Sequence, residues 1–122
     1  MSDYQMGTIE ARFADIIWER EPISSTELVR IAADEFDWKK STTYTVLKRL
    51  CEKGIFKNEG GSVSGVITRE EFYAARSEQF VEEIFGGSLP AFIAAFTKRK
   101  ALSKSELDEL RRMVEEYKEE SK

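Results

Sequence analysis

Ile9, Phe13, Ile16 and Ile17 recur at i, i+4, i+7 and i+8. That spacing predicts an amphipathic helix over about residues 8–20, with Thr8 as N-cap and Pro22 closing the segment. Ser24-Ser25-Thr26-Glu27 then has the spacing of a capping box, in which Ser24 accepts from the backbone of Glu27 and Glu27 reaches back. A second helix follows over about 25–35, burying Leu28, Ile31 and Ala32. Trp38 leads into a third, over about 40–53. Its inward stripe is Thr43, Val46, Leu47 and Leu50, and Gly54 supplies a left-handed stop. The opposite face presents Ser41, Thr42, Tyr44, Thr45, Lys48 and Arg49.

Two β-prone runs come next, 55–58 and 63–68, separated by Glu59-Gly60-Gly61-Ser62, a turn sequence that closes a hairpin. From Glu70 the period is helical again, through Phe72, Tyr73, Phe80, Val81, Ile84 and Phe85, until Gly86-Gly87. A short helix over about 89–97 carries Phe92, Ile93 and Phe96. The exposed run Lys98-Arg99-Lys100 interrupts the pattern. Ser103-Lys104-Ser105-Glu106 makes a second capping box before a last helix with Leu107, Leu110, Met113, Val114 and Tyr117.

The pattern therefore predicts a mainly α chain with one small β-hairpin. The expected organisation is a winged helix-turn-helix over residues 1–70 and a helical dimerisation arm over 71–122. Phe80, Ile84, Phe85, Phe92, Ile93, Leu107, Leu110 and Val114 offer more apolar surface than three short helices can hide among themselves. The most economical partner for that surface is a second copy of the same chain.

Composition narrows the chemistry. At 122 residues the chain has room for one domain or a small domain with an appendage. There is no histidine and a single cysteine, Cys51, which removes histidine triads, zincin-like sites, internal disulfides and Cys-rich metal sites. We expect no metal, no cofactor and no enzymatic role. The adjacent acids Glu82-Glu83 and Glu115-Glu116 point to different sides of a helix and read as solvated faces. The residues 1–7 lack a basic region followed by an apolar run, and no apolar stretch approaches a bilayer span, so a cytoplasmic protein without membrane insertion is expected.

Net charge is −4, which argues against a polyanionic partner until it is resolved along the chain. Residues 38–57 hold Lys39, Lys40, Lys48, Arg49, Lys53 and Lys57 against one acid, Glu52, a local net of +5, so the remainder carries −9. One basic patch on an acidic protein marks the surface that faces a polyanion. A helix, a turn, a second helix behind an aromatic and then a hairpin is the order in which a recognition helix enters the major groove. Hydroxyls suit either base, and Lys or Arg suits guanine or phosphate.

The residues also carry a resemblance. Ile16-Ile17-Trp18-Glu19, the run from Thr42 to Leu50, Glu52-Lys53-Gly54, and Leu102-Ser103 with Glu106-Leu107 together resemble the penicillinase repressor family, which includes the methicillin-resistance repressors. The likeness extends from about Thr8 to Tyr117. It implies a homodimeric repressor on a palindromic double-stranded operator, with Ser41, Thr42 and Thr45 at the groove, Lys48 or Arg49 at phosphates, and Lys39 and Lys40 at the helix entrance. In the antibiotic-responsive branch, a membrane sensor protease or a downstream protease is implied as a further partner. Cleavage there falls at an asparagine followed by phenylalanine; the matching pair here is Ala95-Phe96, where the asparagine is replaced.

Two departures are visible. Family wings often carry an arginine after the turn glycine and an aromatic further on, whereas this wing reads Gly61-Ser62-Val63-Ser64-Gly65-Val66. The paired Cys-x-Cys motifs of the copper-responsive branch are absent. Cys51, Trp18 and Trp38 read as packing residues, and so does Phe96. The reading from a different class is a winged-helix adaptor whose basic patch meets an acidic protein.

Overall fold

The computed structural model describes residues 4–120. Its elements are α1 (Thr8–Arg20), β1 (Ile23–Ser24), α2 (Ser25–Phe36), α3 (Lys40–Glu52), β2 (Phe56–Glu59), β3 (Ser62–Gly65), α4 (Arg69–Phe85), α5 (Leu89–Arg99) and α6 (Lys104–Glu120). The fold is mainly α, a winged helix-turn-helix followed by a helical arm. By its internal contacts the chain divides between Gln79 and Phe80 into two compact units. That division falls inside α4, later than the change of pattern at residue 70.

The first unit closes a core. Phe13 and Ile17 of α1, Leu28, Ile31 and Ala32 of α2, and Val46, Leu47 and Leu50 of α3 are buried together with Ile55, Phe56 and Val63. Burying aliphatic and aromatic side chains of this size stabilises by about 1.5–3 kcal/mol each. The expected α1 stripe is rotated: Ile9 is 49% exposed, while Ala14 and Trp18 are buried. α1 packs on β3 as well as on α2, so its inward face is wider than a single i, i+4 row. Its N-cap is Gly7, without a side-chain bond, and Thr8 is already helical.

Ser24 caps α2 as expected, its Oγ accepting from the Glu27 N–H at 3.0 Å. Glu27 does not reach back, because its carboxylate is engaged by Arg30 one turn on. The reciprocal box does form at α6, where Ser103 Oγ accepts from Glu106 N–H (3.1 Å) and Glu106 Oε1 accepts from Ser103 N–H (3.2 Å). Thr68 and Glu71 build another at α4, with distances of 3.0 and 3.1 Å. Nothing in the hydrophobic period announced it.

The hairpin is tighter than the sequence suggested. Glu59 and Ser62 pair within the antiparallel ladder, leaving Gly60-Gly61 as a two-residue turn with φ of +60° and +93°. Two consecutive left-handed positions suit glycine and match the twist of the flanking strands. β1, too short to show a period, adds a third strand by pairing Ile23 with Val63, so the order is β1-β3-β2.

The base of the wing is closed by polar contacts to α1. Trp18 Nε1 donates to the Ile67 carbonyl at 3.1 Å, and Gly65 N–H donates to Glu21 Oε1, just past the end of α1, at 2.8 Å. A Cβ at Gly65 would stand 2.7 Å from the Ile67 carbonyl oxygen and 3.1 Å from Trp18 Nε1.

The second unit holds the end of α4, α5 and α6. Phe80, Phe85, Phe92 and Phe96 form a ring cluster with centroid separations of 5.6–6.1 Å. Yet no described residue from Phe80 onward is buried in the single chain. Ile84, Leu89, Leu107, Met113 and Val114 are exposed. Phe96, expected in a core, is 44% exposed. α5 runs through Arg99 rather than ending at Thr97, its last turn closed by the Lys100 N–H on the Phe96 carbonyl (3.1 Å). Among the described residues no single helix is long and apolar enough to cross a membrane.

Because the atom that a Gly65 side chain would meet is backbone, Gly65→Ala is expected to destabilise the first unit by about 1–3 kcal/mol. Chemical denaturation should show a lower midpoint at unchanged slope.

Candidate nucleic-acid interface

The turn that aims α3 is built from aromatics. Trp38 packs against Phe36 and Phe13 at ring separations of 5.0 and 5.3 Å. Asp37 takes the left-handed conformation (φ 55°) that ends α2, and its N–H and that of Trp38 return to the Ala33 and Ala32 carbonyls. α3 then buries Thr43, Val46, Leu47 and Leu50. Its exposed positions are Lys40, Ser41, Thr42, Thr45, Lys48 and Arg49, with Lys39 exposed at its N-cap and Tyr44 half-buried.

These residues are not equivalent. Ser41, Thr45 and Lys48 lie on the outward line of the helix. Thr45 Oγ donates to the Ser41 carbonyl at 2.9 Å, which leaves the oxygen able to accept. Tyr44 turns to the flank, its hydroxyl donating to Ser25 Oγ at 3.1 Å. Ser25 N–H in turn donates to the Gly61 carbonyl at 2.8 Å, so Tyr44 is tied through α2 to the wing turn.

The cations also divide. Lys39, Lys40 and Lys48 have no ion-pair partner among the described residues. Arg49 Nη1 lies 3.4 Å from Glu10 Oε1 on α1, and the other oxygen of Glu10 is buried without a hydrogen-bond partner. Lys53 Nζ bonds the Gln5 carbonyl. In the wing, Lys57 pairs with Glu59 at 2.9 Å. The basic patch of the sequence is thus concentrated at the start and middle of α3.

Cys51 is half-buried against the core, and burial, aided by Glu52, raises its thiol pKa. A neutral, packed thiol suits the packing role read from the sequence. Among the described residues no group of three or more Cys, Asp and Glu side chains is placed to hold a metal ion. Sequence reasoning missed Glu10, Ser25 and Asn58, which hold Arg49, Tyr44 and the wing turn. Their partners are distant in sequence or within a turn, where no periodicity reports them.

The sequence profile of the penicillinase repressor family matches residues 6–116. The chain belongs to that family. It is 25% identical over 122 residues to a penicillinase repressor of Bacillus licheniformis, covering 97% of this chain and 95% of the relative. It is 23% identical over 115 residues to the methicillin resistance regulatory protein MecI of Staphylococcus aureus, covering 91% and 94%. A MarR/EmrR family transcriptional regulator from Acinetobacter sp. ADP1 is a more distant structural neighbour, with a TM-score of 0.41 and 16% identity over 95% of this chain and 76% of that one.

In this penicillinase repressor family chain, Arg49 neutralises a carboxylate that is largely withdrawn from water. Arg49→Ala is therefore expected to lower stability by about 1 kcal/mol, more than a typical exposed pair. Glu10→Gln in the same background should restore part of that loss. A double-mutant cycle by denaturant titration checks both.

Proposed function

We propose that this chain is a transcriptional repressor that binds a palindromic operator as a homodimer. Each protomer lays α3 in the major groove. Ser41, Thr42 and Thr45 face bases, Lys39, Lys40 and Lys48 face phosphates, and Arg49 stands at the edge of the contact. The observation that carries this reading is the α3 face itself, a line of hydroxyls bordered by three lysines without ion-pair partners among the described residues, in an otherwise acidic protein. Family membership supports it, and the Bacillus licheniformis relative is a repressor by description. An adaptor that meets an acidic protein would leave the hydroxyl line without a task.

The arm supplies the second copy. A groove of about 280 Å³ between α5 and α6, lined by Phe92, Ile93, Phe96, Leu102, Leu110 and Met113 among others, is open in the single chain. Side chains of a second arm fill it, with Phe80, Ile84, Phe85, Leu107 and Val114 completing the contact. Joining two reading heads raises the effective concentration of the second at its half-site. Severing the arm therefore releases the operator without disturbing a DNA contact, and a membrane sensor protease or a downstream protease is the proposed agent. Ala95 and Phe96 sit inside α5, so cleavage at that bond requires local unwinding. Residues 100–103, between α5 and α6, are the more accessible target.

Three such lysines per protomer, six per dimer, set the salt dependence: the logarithm of the affinity should fall against that of salt with a slope of roughly −5. Lys48→Ala should flatten it by about 2, one unit from each protomer, and weaken all sequences alike. Thr45→Ala should relax preference at one position per half-site by about 1–3 kcal/mol. Gel-shift titrations with a selected palindrome and random competitor, at several salt concentrations, measure all three. Binding that does not survive excess random DNA would favour the adaptor.

The full chain should sediment as a dimer. A fragment ending at Gln79, which retains the closed core, should be monomeric and bind a half-site weakly. A dimeric fragment would place the interface in the first unit.

A further inference from the structure

On the flank of α3 that faces the wing lies a dent of about 330 Å³, lined by Tyr44, Leu47, Lys48, Cys51 and Asn58. Leu47 is buried and Cys51 half-buried, so the floor is apolar. The Tyr44 ring forms a wall whose position is fixed by the hydroxyl bond to Ser25. The rim carries two exposed polar side chains, Lys48 from α3 and Asn58 from β2. Asn58 Oδ1 accepts from the Gly61 N–H at 3.0 Å. Because an N–H needs an oxygen there, the amide orientation is settled and its NH₂ remains a donor. None of the lining residues is acidic.

An apolar floor beneath a cation and an amide donor fits one repeating unit of a nucleic-acid strand. The sugar covers Leu47 and Cys51, and the phosphate oxygens accept from Lys48 Nζ and Asn58 Nδ2. We propose that this dent seats a sugar-phosphate unit of the DNA strand that passes between α3 and the wing. The inference rests on the operator-binding reading and adds to it a place for the backbone. The wing carries no arginine, and its one lysine, Lys57, is paired with Glu59. A phosphate contact at the crease, rather than at the wing tip, is what this chain's side chains offer.

The contact is sequence-independent, so a short mixed-sequence duplex at low salt is a sufficient probe for the full chain. Asn58→Asp keeps the acceptor for Gly61 N–H and turns the outward donor into a negative oxygen. Duplex affinity should fall about tenfold, or 1.4 kcal/mol, at an unchanged denaturation midpoint. Independently, the rate at which iodoacetamide alkylates Cys51 at mildly alkaline pH should drop several-fold in the saturated complex. Free mixed deoxynucleotides at the same nucleotide concentration should give no such protection, and equal protection by them would overturn a strand as the occupant. Either readout unchanged, in a complex whose formation the same titration shows, overturns the dent and leaves DNA binding standing. A wild-type chain that binds no duplex at any salt overturns both.

Discussion

The orientation of α3 depends on the burial of four side chains. Thr43, Val46, Leu47 and Leu50 are held against the core, and each residue of a helix is turned by about 100° from the last, so fixing these fixes the rest. Ser41, Thr45 and Lys48 face outward because their neighbours face inward. Arg49 is brought to α1 and Glu10, and Tyr44 and Cys51 are brought to the wing-side flank. The aromatic turn at Trp38 and the bonds through Ser25 to the wing set this helix among its neighbours.

The two units solve the problem of apolar surface differently. The first encloses Phe13, Ile17, Leu28, Leu47 and Leu50 almost completely. In the second, four phenylalanines touch one another and still meet solvent, and α6 exposes most of its apolar stripe. On the proposed function, the stability of the arm and its association are one equilibrium, because the surface that would order it belongs to another copy. On that reading, concentration has a direct hold on the protein's state.

Most of the fold was legible in the chain. α2, α3 and the stripes they bury stand where the period put them, and the caps at Ser24 and Ser103 lie where their spacing put them. The shortfalls share a cause. Ile9 satisfies the period and stays exposed, since period cannot say how wide a face the neighbours will cover. β1 is two residues long and exists because β3 lies beside it. α5 outlasts its apolar pattern because backbone hydrogen bonding carries on through polar residues, as far as Lys100 N–H on Phe96. At the candidate site, exposed residue types were readable, but the engagement of Arg49 with Glu10 and of Tyr44 with Ser25 is a tertiary fact, made by residues 39 and 19 positions apart.

The ion pair within the wing also bears on how such a protein would find its target. Lys57 and Glu59 are two residues apart on one strand, on the same face, and cancel there. A wing without net charge adds little to the sequence-independent attraction that holds a protein on random DNA. On the proposed function, that attraction falls to Lys39, Lys40 and Lys48 of α3 instead. The hold on random DNA and the reading of bases would then sit on one helix, and a substitution that turned α3 in its seat would weaken both together.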